Sequence, residues 1–360
     1  MTGDHCAFLY NEEFPKYYFG ENHPWQPRRD WKTRELLESM GIFGDHAIIY
    51  KTHPATEQDL LMVHSQQHID FVKKRCESGG GLLDRGDTPA TETLFEGSLA
   101  AVGATLDGVE GIVNGRFLHA FNPAGGLHHA RSECSSGFCV FNDIAVGVRA
   151  LQRRFKKERV AIIDIDGHHG DGTQSVFYNE KILTISLHHL SSGFYPGTGR
   201  TKEVGEGYGK GYAINVPLPF RTGDKTYLKA YKEIVLTALD DYRPDMIVHQ
   251  FGVDAHFSDP LVGLGLTTHA YEDIAKLTHD AAHKLCNGQY MVVGGGGYNL
   301  EAVPRCWAIM FCTISGVYPK DPKAWEALHD PHGMPEPEEV PDEVDETIRR
   351  LKAEVLPLIK

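Results

Sequence analysis

Through the middle of the chain, short apolar runs alternate with longer segments of helical period. The runs are Phe117–Ala120, Val160–Ile165, Leu183–Leu187, Tyr212–Val216, Met246–Gln250 and Tyr290–Val293. They are almost continuously apolar, the pattern of strands buried on both faces of a parallel sheet. Between them lie Leu94–Val113, with apolar residues at 94, 95, 99, 102, 106, 109 and 113, and Asp143–Phe155, which follows a capping residue at Asn142. Tyr227–Tyr242 and Thr268–Cys286 complete the helical set. This alternation predicts an α/β fold with a single open parallel sheet flanked by helices on both faces. The chain reads as one domain over 1–360. It closes with an acidic, Pro-rich stretch, His329–Asp345, and a terminal amphipathic helix over Val344–Leu358.

Composition narrows the function classes. The sequence has 360 residues with 41% hydrophobic and 24% charged, ordinary for a globular chain and too apolar for a disordered one. Its formal net charge of −13 argues against nucleic acid, whose phosphates need a basic footprint. That charge is compatible with a cationic or lysine-bearing substrate. The longest apolar run free of charge, Cys306–Tyr318, is too short to span a bilayer, and no basic start followed by an apolar stretch marks a signal peptide. Seven cysteines with no Cys-x-x-Cys pair fit reduced thiols in a cytoplasm better than a disulfide framework. The sequence leaves the oligomeric state open.

Active sites of open α/β sheets form beyond the carboxyl ends of the strands. Four polar clusters occupy those places: Asn122 to His129, Asp164 to Asp171, Phe251 to His256, and four glycines followed by Tyr298. Asp164, Asp166 and His168 alternate, so strand-like geometry points them to one side. A carboxylate and an imidazole so placed can share a metal. Asp254, following the run that ends at Gln250, is the best third ligand. Three ligands with one open position are what catalytic zinc requires. His128 and His129 have no adjacent metal ligand and suit proton transfer, with Asp164 and Asp171 as the carboxylates available to orient them. Tyr298, presented on a glycine loop, can donate to a carbonyl oxygen as it becomes an oxyanion.

With these motifs in view, the sequence resembles the zinc-dependent histone deacetylase family, within it the bacterial acetoin-utilisation-type and class I-like members. The match runs from about Tyr17 to Tyr318. It rests on His23-Pro-Trp-Gln-Pro-Arg-Arg29, Gly125-Gly-Leu-His128-His129-Ala, Gly137-Phe138-Cys-Val-Phe-Asn142-Asp143, Asp164-Ile-Asp166-Gly-His168-His169-Gly-Asp171-Gly, Tyr195-Pro-Gly-Thr-Gly, Gly252-Val-Asp254 and Gly294-Gly-Gly-Gly-Tyr298. The resemblance implies the arginase/deacetylase fold and one zinc per chain on Asp166, His168 and Asp254; iron(II) is the alternative metal, because that donor set selects weakly. It implies His129 as general base and acid, oriented by Asp171, and His128 as electrostatic partner, oriented by Asp164. Tyr298 would polarise the acyl carbonyl. Gly137, Phe138 and Tyr195 would line an acyl-lysine tunnel, with Leu261 and Asp87 at its rim and Arg29 beside an internal acetate cavity. Potassium would bind through Asp164, Ser186 and the carbonyls of Asp166, His168 and Leu187. The implied activity is hydrolysis of acetyl or other short acyl groups from lysine side chains of a protein or peptide. Tyr195 departs from the phenylalanine usual in class I-like members and bears on acyl-chain preference.

Other readings are weighed on the same residues. An acetylpolyamine amidohydrolase is disfavoured because no long insertion precedes the first tandem histidine. A ureohydrolase with two manganese ions is suggested by Asp254-Ala-His256-Phe-Ser-Asp259, but a two-metal site needs further bridging carboxylates. A non-catalytic acyl-lysine binding protein would not need His128, His129, Asp166, His168, Asp254 and Tyr298 together. His279 and His283, at i and i+4, are read as a helix face, since Asp280 stands where a zincin has glutamate. His64 and His68 are read in the same way. Cys139 is read as a buried small hydrophobe.

Overall fold

The computed structural model describes residues 5–332 and 341–359. Eight strands form one sheet: β1 (Cys6–Tyr10), β2 (Ala47–Lys51), β3 (His119–Asn122), β4 (Val160–Asp164), β5 (Leu183–His189), β6 (Ala213–Leu218), β7 (Met246–Gln250) and β8 (Tyr290–Val293). Their spatial order is β2-β1-β3-β8-β7-β4-β5-β6, and every pairing is parallel. Parallel strands need crossovers, and helices supply most of them.

The near-continuous apolarity of the runs reflects burial on both faces. On β4, Ala161 and Ile163 enter one apolar cluster while Val160 and Ile162 enter the other. On β8, Tyr290 and Val292 face the first cluster, Met291 and Val293 the second. The helices Leu94–Val113 and Asp143–Phe155 cover the second face; Thr268–Cys286 and Ala302–Ser315 cover the first. Asn142 caps its helix as expected, its side-chain oxygen accepting from Ala145 N at 2.9 Å. The terminal helix is Asp342–Glu354 and turns Val344, Ile348 and Leu351 inward, at i, i+4 and i+7. Within the expected Pro-rich stretch, residues 333–340 lie outside the described residues.

Several expectations shift. The strand expected at Phe117–Ala120 is His119–Asn122, two residues later. The helix expected at Tyr227–Tyr242 begins at Asp224 and passes through a π-helical stretch, Tyr231–Leu236. His64 is not on a helix with His68: it precedes Ser65, whose hydroxyl caps Gln66–Glu77. Both rings are buried, His64 Nε2 accepting from Asn142 N at 2.9 Å and His68 Nε2 lying 3.1 Å from the Val140 carbonyl. Among the described residues, no helix is long and apolar enough to cross a membrane.

The strand order fixes the position of the site. The chain leaves β3 for β4 and only later inserts β7 and β8 between them. The four polar loops therefore follow four adjacent central strands, at the point where the strand order reverses.

Candidate metal centre and active site

The loop after β3 is braced before it can present its histidines. Asn122 donates to the Ala101 carbonyl and to Thr105 Oγ1, both at 2.9 Å. The buried Asp143 carboxylate accepts from Gly126 N at 3.1 Å, Leu127 N at 2.8 Å and the Thr105 hydroxyl at 2.6 Å. The start of one helix thus holds the turn immediately before His128.

Each tandem imidazole then meets a carboxylate. His128 Nδ1 lies 2.7 Å from Asp164 Oδ2, and His129 Nδ1 lies 2.7 Å from Asp171 Oδ1. Arg131 donates to the other Asp171 oxygen at 2.7 Å. The pairing follows the order expected from the sequence. The two rings are 4.0 Å apart by centroids yet electrostatically unlike. Burial disfavours a charged His128, but Asp164 and Asp166 outweigh it and raise its pKa to about 9. Burial, and then the neighbouring His128, push His129 down to about 4. The carboxylates thus favour a proton on both nitrogens of His128, whereas burial and His128 favour the neutral form of His129.

Asp166, His168 and Asp254 also converge. His168 Nδ1 is 3.2 Å from Asp166 Oδ1 and 2.9 Å from Asp254 Oδ2, and one ligand atom from each of the three lies within 4.8 Å of the others. The outer oxygens are held from behind. Asp166 Oδ2 accepts from Gln250 Nε2 and from Gly296 N, both at 2.7 Å, and Asp254 Oδ1 accepts from Gly167 N at 2.6 Å. Gly296 must be glycine here, since a Cβ would collide with both carboxylates. Burial and the Asp166 charge raise the Asp254 pKa, the mark of two carboxylates sharing one dry site. Against burial, the two acids draw His168 up to about 10. The site therefore favours positive charge at the point the three groups share. Two hard oxygens and one imidazole nitrogen fit a divalent ion such as zinc or iron(II).

A cavity of about 280 Å³ leads to this point. His129, His168, Tyr298, Gly137, Phe138 and Tyr195 line it, as do Asp87 and Leu261. Both Asp87 and Leu261 are exposed. Gly137 (φ +51°) lets the wall approach closely, because a Cβ would strike the His129 ring and the Tyr195 phenol. The Tyr195 hydroxyl lies 2.5 Å from Ser136 Oγ, so the phenol has a polar partner within the wall. Tyr298 is placed through its backbone, its N–H donating to Asp259 Oδ2 at 2.8 Å.

The remaining candidates lie around this core. Asp164 is the register partner of Ser186 across β4 and β5, with Leu187 next along β5. Arg29 is buried behind the glycine loop and donates to the Gly297 carbonyl at 3.0 Å. Its guanidinium lies 3.8 Å from the Trp25 ring centroid, and its Nε and Nη2 have no hydrogen-bond partner. Sequence reasoning did not single out Gln250, Asp143, Asp259 or Phe194. Phe194 stacks on His168 at 5.1 Å and 6°. Gln250 carried a signal as a polar residue closing an apolar run, and Asp143 and Asp259 stood within quoted motifs without being given a role; Phe194 carried none.

Comparison with known proteins gives a consistent result. The family model described as "Histone deacetylase domain" matches residues 23–314. The chain is 38% identical over 324 residues to the acetoin utilization protein AcuC of Bacillus subtilis, covering 87% of this chain and 83% of that one. It is 35% identical over 300 residues to a probable deacetylase of Archaeoglobus fulgidus, covering 82% of each. The crystal structure of the HDA15 HD domain superposes with a TM-score of 0.85 at 28% identity, covering 99% of this chain and 97% of that one.

Proposed function

The chain belongs to the histone deacetylase domain family and is a hydrolytic deacetylase, and from that premise we propose that it removes acetyl or other short acyl groups from lysine side chains of proteins or peptides. The observation that carries this reading is the convergence of Asp166, His168 and Asp254 with the His129–Asp171 pair and Tyr298 at the end of one aromatic-walled cavity. A divalent ion held by Asp166, His168 and Asp254 would supply, when bound, the Lewis acidity that amide hydrolysis needs.

The chain's own groups do the rest. Neutral His129 takes the proton of the attacking water, while Asp171 and Arg131 fix its ring through Nδ1. His128, charged and tied to Asp164, sets the field beside it and discourages a second proton on His129 until water has given one up. Tyr298 donates its hydroxyl to the acyl oxygen as negative charge grows there. His129 then returns its proton to the lysine amine as the C–N bond breaks. Potassium is assigned to Asp164, Ser186 and the carbonyls of Asp166, His168 and Leu187, and departing acetate to the unpaired donors of Arg29.

The apolar walls Phe138 and Tyr195 suit an aliphatic lysine arm, and exposed Asp87 suits the backbone N–H groups of a peptide. A small acylated amine is the second reading, favoured by the net negative charge. A fluorogenic assay over acetyl-, propionyl-, butyryl- and lactyl-lysine peptides and acetylated polyamines separates the two. Highest kcat/KM on an acetyl-lysine peptide supports the proposal; activity confined to polyamines overturns its substrate class.

A further inference from the structure

At the opposite end of the sheet from the active site, three imidazoles meet. His119 opens β3, and His279 and His283 lie one turn apart on the helix Thr268–Cys286. The Nε2 atoms are 3.2 Å apart for His119 and His279, 3.3 Å for His119 and His283, and 3.0 Å for His279 and His283. His119 is buried, His279 partly buried and His283 exposed.

Hydrogen bonding alone cannot satisfy this arrangement. A ring nitrogen is either a donor or an acceptor. Three nitrogens in mutual contact must include at least one like pair, two lone pairs or two N–H groups facing each other. Protonation does not remove the conflict, and burial together with the neighbouring rings pushes His119 down to about 3 and His279 to about 4. A cation that accepts all three lone pairs does remove it. The dimensions agree: zinc–nitrogen bonds of about 2.0–2.1 Å at tetrahedral angles separate the nitrogens by about 3.3 Å. The other histidine cluster outside the active site, His269, Glu272 and His329, has no such conflict. There His329 meets Glu272 at 2.8 Å and the Trp325 carbonyl at 3.1 Å, and His269 meets the Asp330 carbonyl at 3.2 Å.

We infer that His119, His279 and His283 form a second metal site, which takes one zinc-like transition-metal dication through three Nε2 atoms and leaves a fourth position open on the exposed His283 side. The ion clamps the start of β3 to the helix that crosses from β7 to β8. The inference is independent of the active-site reading.

The test is metal content after the purified protein is equilibrated with zinc and desalted. The expected result is about two equivalents in the wild type, about one in His283→Ala and about one in Asp254→Asn, with deacetylation by His283→Ala within about twofold of wild type. One equivalent that Asp254→Asn removes and His283→Ala leaves would overturn the second site. One equivalent that His283→Ala removes and Asp254→Asn leaves would uphold it and count against the active-site metal instead. Cobalt(II) added to Asp254→Asn provides a second readout. Visible d–d absorption that disappears in Asp254→Asn/His283→Ala supports the site, and its absence in Asp254→Asn overturns it.

Discussion

The two ends of the central sheet each gather histidines, but they treat them differently. At the carboxyl end, His128 and His129 each have a carboxylate behind Nδ1, and the Asp166–His168–Asp254 group is held by Gln250, Gly296 N and Gly167 N. At the amino end, among the described residues, none of His119, His279 and His283 has a carboxylate on its second nitrogen. One end is a supported machine in which charge and proton position are set in advance. The other is three imidazoles in mutual contact without carboxylate support. Carboxylate backing therefore separates a site built for proton chemistry from one able only to bind.

The largest expected effect is on His129. His129→Ala should lower kcat on an acetyl-lysine peptide by about 10²–10⁴ with metal content unchanged, whereas His283→Ala should change metal content and spare kcat; steady-state kinetics beside metal analysis reads both. Tyr298→Phe should lower kcat by about 10²–10³ with little change in KM, since its hydroxyl acts on charge that develops during reaction. Next comes metal affinity. Lacking outer support, the three-imidazole site should release zinc to a competing chelator at about 10–100-fold lower chelator strength than the supported site. Equal release would break the comparison.

The His256–Asp330 pair shows whether backing alone implies catalysis. His256 Nε2 lies 2.8 Å from Asp330 Oδ2, outside the cavity, and Asp330 also accepts from Thr268 N at 2.9 Å and Arg305 at 2.8 Å. Against burial, these partners hold Asp330 well below the usual carboxylate range. A depressed carboxyl stabilises the fold above its unfolded pKa of about 4 and loses that contribution as pH falls from there through its lower folded value. Asp330→Asn should therefore cost about 1.5–2 kcal/mol at pH 7, with the gap from wild type closing below about pH 4 in denaturant titrations, and kcat should hold. The smallest effect is expected at the wall: Tyr195→Phe removes the phenol bonded to Ser136 and should shift the acetyl-to-butyryl ratio of kcat/KM by about 2- to 10-fold.

The same contrast explains what could be read from the chain. The central strands β4, β7 and β8 were legible because burial on both faces leaves a nearly continuous apolar run. β2 was not, because its burial alternates at the sheet edge, and β1 was not, because its five residues stand apart from the strand–helix alternation of the middle of the chain. β3 starts two residues later than its apolar run because the sheet opens on His119 and accepts Asn122, whose amide finds partners that apolarity does not mark. The active site was legible because its ligands follow strand ends in short motifs. The three-imidazole cluster was not: His279 and His283 read as a helix face, and the ring that completes them is His119, 160 positions from His279 and brought there only by strand order.

Stripping and restoring metal shows whether an ion on Asp166, His168 and Asp254 drives hydrolysis. Protein treated with chelator and desalted should lose hydrolysis of a fluorogenic acetyl-lysine peptide, and zinc should restore it in the wild type but not in Asp254→Asn. Turnover that survives removal of all metal would contradict the account.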